Sequence, residues 1–166
     1  TDPLLITFGR AVFACLSLYI AALLFKSHLQ RNLNRALLLK LLFSGIMLGI
    51  HWLTFFIGIK SGGVAMATLG FASFPAFITI LERFVLRDHV NLRSWFLVLV
   101  VMIGLFLVSP ELDLANQNTN GLLWGIVSGF AFAALAVSNR TYGKTLDSIQ
   151  VAFWQNLVVA LITLPF

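Results

Sequence analysis

Apolar and polar positions along the 166-residue chain alternate in blocks, six apolar stretches divided by short polar or charged connectors. The stretches are Leu4 to Phe25, Leu37 to Ile59, Val64 to Leu81, Trp95 to Val108, Gly121 to Val137 and Ile149 to Phe166. A helix needs roughly 20 apolar residues to cross bilayer hydrocarbon, with a range near 17 to 25. The fourth stretch is the shortest and needs Leu92 to Ser94 or Ser109 to reach that span. Short connectors make neighbouring spans antiparallel. The pattern predicts an all-α fold, a polytopic transmembrane helix bundle.

The third stretch organises the rest. It opens on Ser61-Gly62-Gly63-Val64, carries Phe74-Pro75-Ala76 near its middle and closes on Glu82-Arg83 and Arg87-Asp88. The glycine pair predicts a turn between spans, because tight turns require positive φ. A mid-helix proline costs about 3 kcal/mol in water. In a membrane, neighbouring helices or cavity water soften that cost by satisfying the freed carbonyl. Thr68, Ala72, Pro75, Thr79 and Glu82 form a small and polar stripe, with Leu69, Phe77, Ile80 and Phe84 opposite. Lipid offers such a stripe no partner, so it is expected to face protein or a cavity and to line a pathway.

Composition supports a membrane setting: 60% of residues are hydrophobic and 10% charged, with mean hydropathy +0.97. A soluble domain is nearer half apolar and a quarter charged. The net charge of +5 lies mostly between apolar runs, where it reads as topology and not as a nucleic-acid surface. Lys26, Arg31, Arg35 and Lys40 follow the first span; Arg83, Arg87 and Arg93 follow the third; Arg140 and Lys144 follow the fifth. The alternate connectors hold Lys60, or Glu111 and Asp113 without a base. The positive-inside rule then puts the basic connectors in the cytoplasm and Pro110 to Asn120 outside. Trp52, Trp95 and Trp124 suit interfacial belts. Cys15 is the sole cysteine, which rules out a disulfide frame or cysteine metal site within the chain. The first run has no basic leader, and the chain is expected to be a piece of a longer protein.

A weak internal repeat is visible. Asp2-Pro3-Leu4 with Phe8 and Arg10 precedes one apolar run, and Asp147-Ser148-Ile149 with Phe153 and Gln155 precedes another. Five spans separate the two, so they run in opposite directions, the pattern of inverted repeats in secondary transporters.

No catalytic constellation is present: no phosphate-binding glycine loop, metalloprotease helix or nucleophile elbow. Several residues within spans stand out. Arg10 lies about two turns inside the first run, where a central arginine costs ~3 kcal/mol on insertion scales. It either snorkels to the outer headgroups or faces a cavity and pairs with an anionic group of a solute. His51, beside Trp52 and on a face with Ser44 and Gly58, is either a neutral histidine bonded to a neighbouring helix or a protonatable cavity residue. Glu82 either pairs with Arg83 or Arg87 or couples transport to protons. Phe71 and Phe74 either pack or cage a solute. Gly45 and Gly49, and Gly121, Gly125, Gly129 and Ala133, follow small-xxx-small spacing that lets helix backbones approach closely. Gln155 and Asn156 need partners on another helix or in a cavity.

The order of features resembles the EamA branch of the drug/metabolite transporter superfamily. It includes an arginine early in a span after a proline (Pro3, Arg10) and a small-residue entry (Ser61, Gly62, Ala65, Ala67) leading to Pro75. Val85-Leu86-Arg87-Asp88 then precedes Trp95 and Gly104, with Asp88 where the family usually has glutamate. The resemblance implies ten spans in two inverted five-span repeats, of which this chain covers about spans two to seven. Residues 1–109 would form most of the first repeat, 110–120 an external loop and 121–166 the start of the second. It also implies transport of small organic metabolites, amino-acid-like or drug-like, often by export.

The expected function is therefore transport by alternating access in the inner or plasma membrane, not enzymatic and without cofactor or metal. The expected pathway residues are Arg10, His51, Trp52, Thr68, Phe71, Pro75, Thr79, Glu82 and Gln155. Expected partners are a small-molecule solute and the lipid bilayer, with a homodimer allowed and no nucleic acid. The rivals are a non-transporting membrane subunit and a membrane-embedded lipid-modifying enzyme. The enzyme would need acid/base groups converging at one depth, and only His51, Glu82 and Asp88 are on offer.

Overall fold

The computed structural model describes residues 2–108, 116–142 and 145–164. Six helices follow in order: α1 (Pro3–Leu24), α2 (Arg35–Phe71), α3 (Phe74–Phe84), α4 (Leu92–Val108), α5 (Gln117–Tyr142) and α6 (Ser148–Ile162). Among the described residues there is no strand, and the all-α expectation holds. α1, α2 and α5 are long and apolar enough to cross a membrane, while Leu92–Leu107 and α6 are shorter apolar helices. Residues 110–115 of the expected external loop, with Glu111 and Asp113, lie outside the described residues, as do Lys144 of the basic connector and the closing Pro165 and Phe166.

α2 is two helical arms joined at Gly63, whose φ of 82° and ψ of 167° only glycine adopts without strain. A Cβ placed on Gly58 would lie 3.3 Å from Ala67 Cβ. In a straight helix nine residues span about 13.5 Å, so the chain reverses at Gly63. The glycine turn expected between the second and third spans is this single residue. The third span continues through 64–71 into α3, with a break at Ala72 and Ser73.

Pro75, expected near the middle of the third span as a bending point, occupies the first turn of α3 just after the break, where a missing N–H leaves nothing unsatisfied in the new helix. Ser73 keeps helical angles (φ −69°, ψ −14°), so the chain bends without unwinding. Its Oγ and N–H both donate to Gly70 O, at 2.7 and 3.1 Å. The carbonyl that Pro75 cannot bond is Phe71 O. A Cβ on Gly129 of α5 would meet it at 3.1 Å and Ser73 Oγ at 2.8 Å, so only glycine lets α5 cover the break.

The chain forms two compact units, one of residues up to Gly49 with Ser138 onward, the other Ile50–Val137. In the first, α1 and α6 pack along each other. Ser27, just past α1, donates its hydroxyl to Asp147 at the start of α6, and Cys15 lies beside Phe153 O. Advancing along one helix thus retreats along the other, and the pair is antiparallel. Both begin alike: Asp2 caps α1 by accepting from Leu4 N, and Asp147 caps α6 by accepting from Ile149 N. α1 ends with Lys26 in the left-handed region (φ 53°), and Ser27 N–H reaches back to Ala22 O at 2.9 Å. Leu37, Leu41, Tyr142 and Leu146 form the core of this unit.

In the second unit, α5 lies on both arms of the α2 reversal. A Cβ on Gly121 would sit 2.6 Å from Gly62 Cα, and one on Gly125 would sit 3.0 Å from Gly70 Cα. Between apolar helices in lipid there is little hydrophobic gain, so such close backbone approach supplies much of the attraction.

Candidate functional site

In the second unit, the close approach of α5 places the buried Ser128 against His51 of α2. His51 Nδ1 lies 2.7 Å from Ser128 Oγ and 3.3 Å from Ser128 O. Ser128 Oγ donates to His51 O at 3.0 Å. A hydroxyl has one proton, so both contacts are satisfied when Nδ1–H donates to Oγ and Oγ donates to the carbonyl. In the neutral ring that tautomer makes Nε2 the acceptor nitrogen. This is the histidine bonded to a neighbouring helix, one of the two roles expected for it.

Aromatic rings close around the imidazole. Phe71 and Phe132 each lie 5.1 Å from it, centroid to centroid, and Phe55 lies at 6.2 Å. Phe71 stacks on Phe74 at 5.1 Å, and Phe132 meets Phe74 edge-on at 5.2 Å. These are contact separations for packed rings, so the cluster fills itself. Of the expected pathway residues, the structure brings together His51 and Phe71. Trp52, next along α2, is half-buried.

The expected stripe of the third span turns outward in this unit. Thr68, Ala72 and Pro75 are exposed, and Thr79 and Glu82 are half-buried. Thr79 Oγ1 donates to Pro75 O at 3.0 Å, so its hydroxyl is satisfied within the helix. The buried residues are Ala67, Gly70, Ser73 and Ala76, one position round. Ser73, Ala76, Phe77 and Ile80 border a cavity of about 530 Å³ that α4 and α5 close with Met102 and Leu122, among others. Its walls suit hydrocarbon better than a charged solute.

The first unit holds a second polar constellation. Tyr142 Oη lies 2.7 Å from Ser44 Oγ and 2.5 Å from Asn139 Oδ1. Gln155 Nε2 reaches Asn139 Oδ1 at 2.6 Å, Ser44 Oγ at 2.9 Å and Tyr142 Oη at 3.0 Å. Ser44 and Tyr142 are fully buried, and Gln155 is 5% exposed. Gln155 therefore finds its partners on α2 and α5, and with Asn139 it borders a cavity of about 250 Å³. Ser44 belongs to this network, not to the His51 site with which its spacing had grouped it. Neighbouring Asn156 donates to Ala152 O at 2.8 Å, and its buried Oδ1 has no hydrogen-bond partner among the described residues. Arg10 stands exposed on α1 two turns from Pro3.

Ser128, Phe132, Asn139 and Tyr142 were not anticipated. For Ser128 the one available signal was its place beside Gly129 in the small-residue helix. Among the described residues, no three His, Cys, Asp or Glu side chains come together as a metal site.

Residues 1–109 match the EamA-like transporter family. Over 122 residues the chain is 24% identical to the S-adenosylmethionine uptake transporter of Rickettsia bellii (strain RML369-C), covering 73% of this chain and 41% of that protein. The proteins of the same name from Rickettsia felis (strain ATCC VR-1525 / URRWXCal2) and Rickettsia prowazekii (strain Madrid E) are 25% identical over 122 residues, covering 73% of this chain and 40% of theirs. The chain thus spans about 40% of the length of the curated relatives it matches. No solved structure matches it.

Proposed function

The chain belongs to the EamA-like transporter family, and we propose that it forms part of a transporter moving small organic solutes across the cell membrane by alternating access. The family match over residues 1–109 carries this reading. The solute class is amino-acid-like metabolites. S-adenosylmethionine, named in the Rickettsia relatives, is the first to test. The basic connectors lie in the cytoplasm, residues 1–109 make up most of the first repeat, and 121–166 begin the second.

In this reading His51, Trp52 and Phe71 form one wall of the route. The outward stripe of Thr68, Pro75, Thr79 and Glu82 continues it, and Arg10 and Gln155 are separate pathway candidates within the first unit. Support for a working role of His51 comes from its setting: an imidazole at mid-helix, hydrogen-bonded to a buried hydroxyl and ringed by phenylalanines. Repacking those rings would open space at that depth without breaking the backbone.

The test is uptake and efflux of labelled S-adenosylmethionine and amino acids in vesicles carrying the complete protein, with His51→Phe and Pro75→Leu alongside. Saturable movement slowed at least about tenfold by His51→Phe, with folding retained, is the expected result. No movement of any solute by folded protein would point to a non-transporting subunit. Turnover of a lipid would point to an enzyme.

A further inference from the structure

The connector between α1 and α2 is held in one shape and lined with cations, and we propose that it binds the anionic phosphate headgroup of a membrane phospholipid. Two cavities flank it. One, of about 300 Å³, is lined by Lys26, Ser27, His28, Arg31 and Asn32, with Asp147 at the start of α6. The other, of about 450 Å³, shares Ser27, His28 and Arg31 and runs onto Tyr19, Ala22 and Leu23 of α1. A polar basin therefore opens onto an apolar helix face, where Tyr19 is 51% and Leu23 64% exposed. A phosphate with acyl chains has that sequence of polarity.

The cations are positioned by the fold. Gln150, 3% exposed, donates from Nε2 to Leu29 O at 3.0 Å and Arg31 O at 2.8 Å, and Trp154 Nε1 donates to Leu29 O at 2.8 Å. Arg31 N–H closes a turn on His28 O at 3.0 Å. Lys26 and Asn32 both hold left-handed backbone, with φ of 53° and 61°. A connector fixed at four main-chain bonds loses little entropy when a ligand arrives. Asp147 is the acid lining the basin. Its carboxylate accepts from Ile149 N–H at 3.2 Å and from the Ser27 hydroxyl, facing the positive end of α6. Lys26 and Arg31, with the His28 imidazole between them, are left to meet an incoming anion. A soluble phosphate would meet the same cations but would make no use of the Tyr19 and Leu23 face, which is why a lipid is the occupant.

The experiment releases the complete protein from nanodiscs of mixed phosphatidylcholine and phosphatidylglycerol into a mass spectrometer under native conditions. The expected result is selective retention of phosphatidylglycerol. Each basic residue near a membrane surface contributes enough that Lys26→Gln should weaken retention about 5-fold, and Lys26→Gln with Arg31→Gln about 30-fold. Gln150→Leu keeps every charge but releases the connector carbonyls, and should also lose selectivity. Lys40→Gln, on α2 outside both cavities, should not. Melting in phosphatidylcholine alone checks the fold of each variant. If Gln150→Leu fails that check, the charge variants decide. Equal retention of the two lipids would overturn the proposal. So would Lys40→Gln acting as strongly as Lys26→Gln, which would show diffuse attraction. Millimolar inorganic phosphate stabilising the protein as well as the lipid does would instead make this a soluble-anion site.

Discussion

The contact of α5 with the two arms of α2 is most sharply tested by Gly121→Ala. A Cβ on Gly121 would lie 2.6 Å from Gly62 Cα, 2.9 Å from Gly62 N and 3.0 Å from Gly58 O. All three are main-chain atoms, so no side chain can move aside. Carbon atoms rest about 3.5–4.0 Å apart, so the helices must part by roughly 1 Å. Overpacking of this kind costs about 1–3 kcal/mol. The parting also stretches the 2.7 Å bond between His51 and Ser128, a further loss of about 1 kcal/mol. Alanine returns about 0.5–1 kcal/mol through its better helix propensity. The net is about 1–3.5 kcal/mol, centred a little above 2 kcal/mol. At about 2–4 °C per kcal/mol, thermal melting in detergent at a fixed scan rate should fall by roughly 5–10 °C. Gly104→Ala on α4 is the control, because beyond its own helix backbone no atom of the described residues lies within 4 Å of its built Cβ. A fall of under about 2 °C for Gly121→Ala, or an equal fall for Gly104→Ala, would refute the packing argument.

The same melting assay checks three further changes. Ser128→Ala should cost about 1–3 kcal/mol by leaving His51 Nδ1 without its hydroxyl, and adding His51→Phe should recover part of that loss, since replacing both partners by apolar groups is far less costly than orphaning one. Additive losses in the double variant would mean that the two residues do not interact. Arg87, at φ 58°, sits in backbone that favours glycine, so Arg87→Gly should stabilise by about 1 kcal/mol; an unchanged melt would show no strain there. Pro75→Ala should shift melting by no more than about 2–4 °C, since proline is at ease in a first turn. A rise nearer the ~3 kcal/mol cost of a helix-interior proline would show an unbroken helix there.

Much of the backbone was legible because it follows from local chemistry. The helix count comes from apolar run lengths, the reversal from a glycine pair, and the close face of α5 from glycines spaced by four. Polar pairing was not legible. Ser128 meets His51 across 77 residues, and Gln155 meets Ser44 across 111; no periodicity encodes which helices adjoin. Gln155 could be recognised as needing partners, but nothing in the string named Tyr142 or Asn139. The stripe of the third span shows a subtler limit. Polarity favours Thr68, Ala72, Pro75, Thr79 and Glu82, yet the structure buries Ala67, Gly70, Ser73 and Ala76. One residue is about 100° of helix, since 3.6 residues make a turn. In lipid, side-chain size decides which face adjoins a neighbour, and the glycines of α5 select the smallest.

α1 and α6 pack as an antiparallel pair and open alike. Both helices open on an aspartate whose carboxylate accepts from the N–H two residues on, at 2.9 Å for Asp2 and 3.2 Å for Asp147. Ser27 beside Asp147 fixes their opposite directions. The correspondence ends at the eighth residue after each aspartate. There α1 carries the exposed Arg10, while α6 carries Gln155, buried among Ser44, Asn139 and Tyr142. Capping and direction are backbone properties. The side chain at that depth answers to its neighbours, and α6 borders α2 and α5 there with amide and hydroxyl groups. A charged guanidinium in that network would need a carboxylate that none of those four residues supplies. At that position the chemistry of the two helices differs, a cation on α1 and an amide on α6.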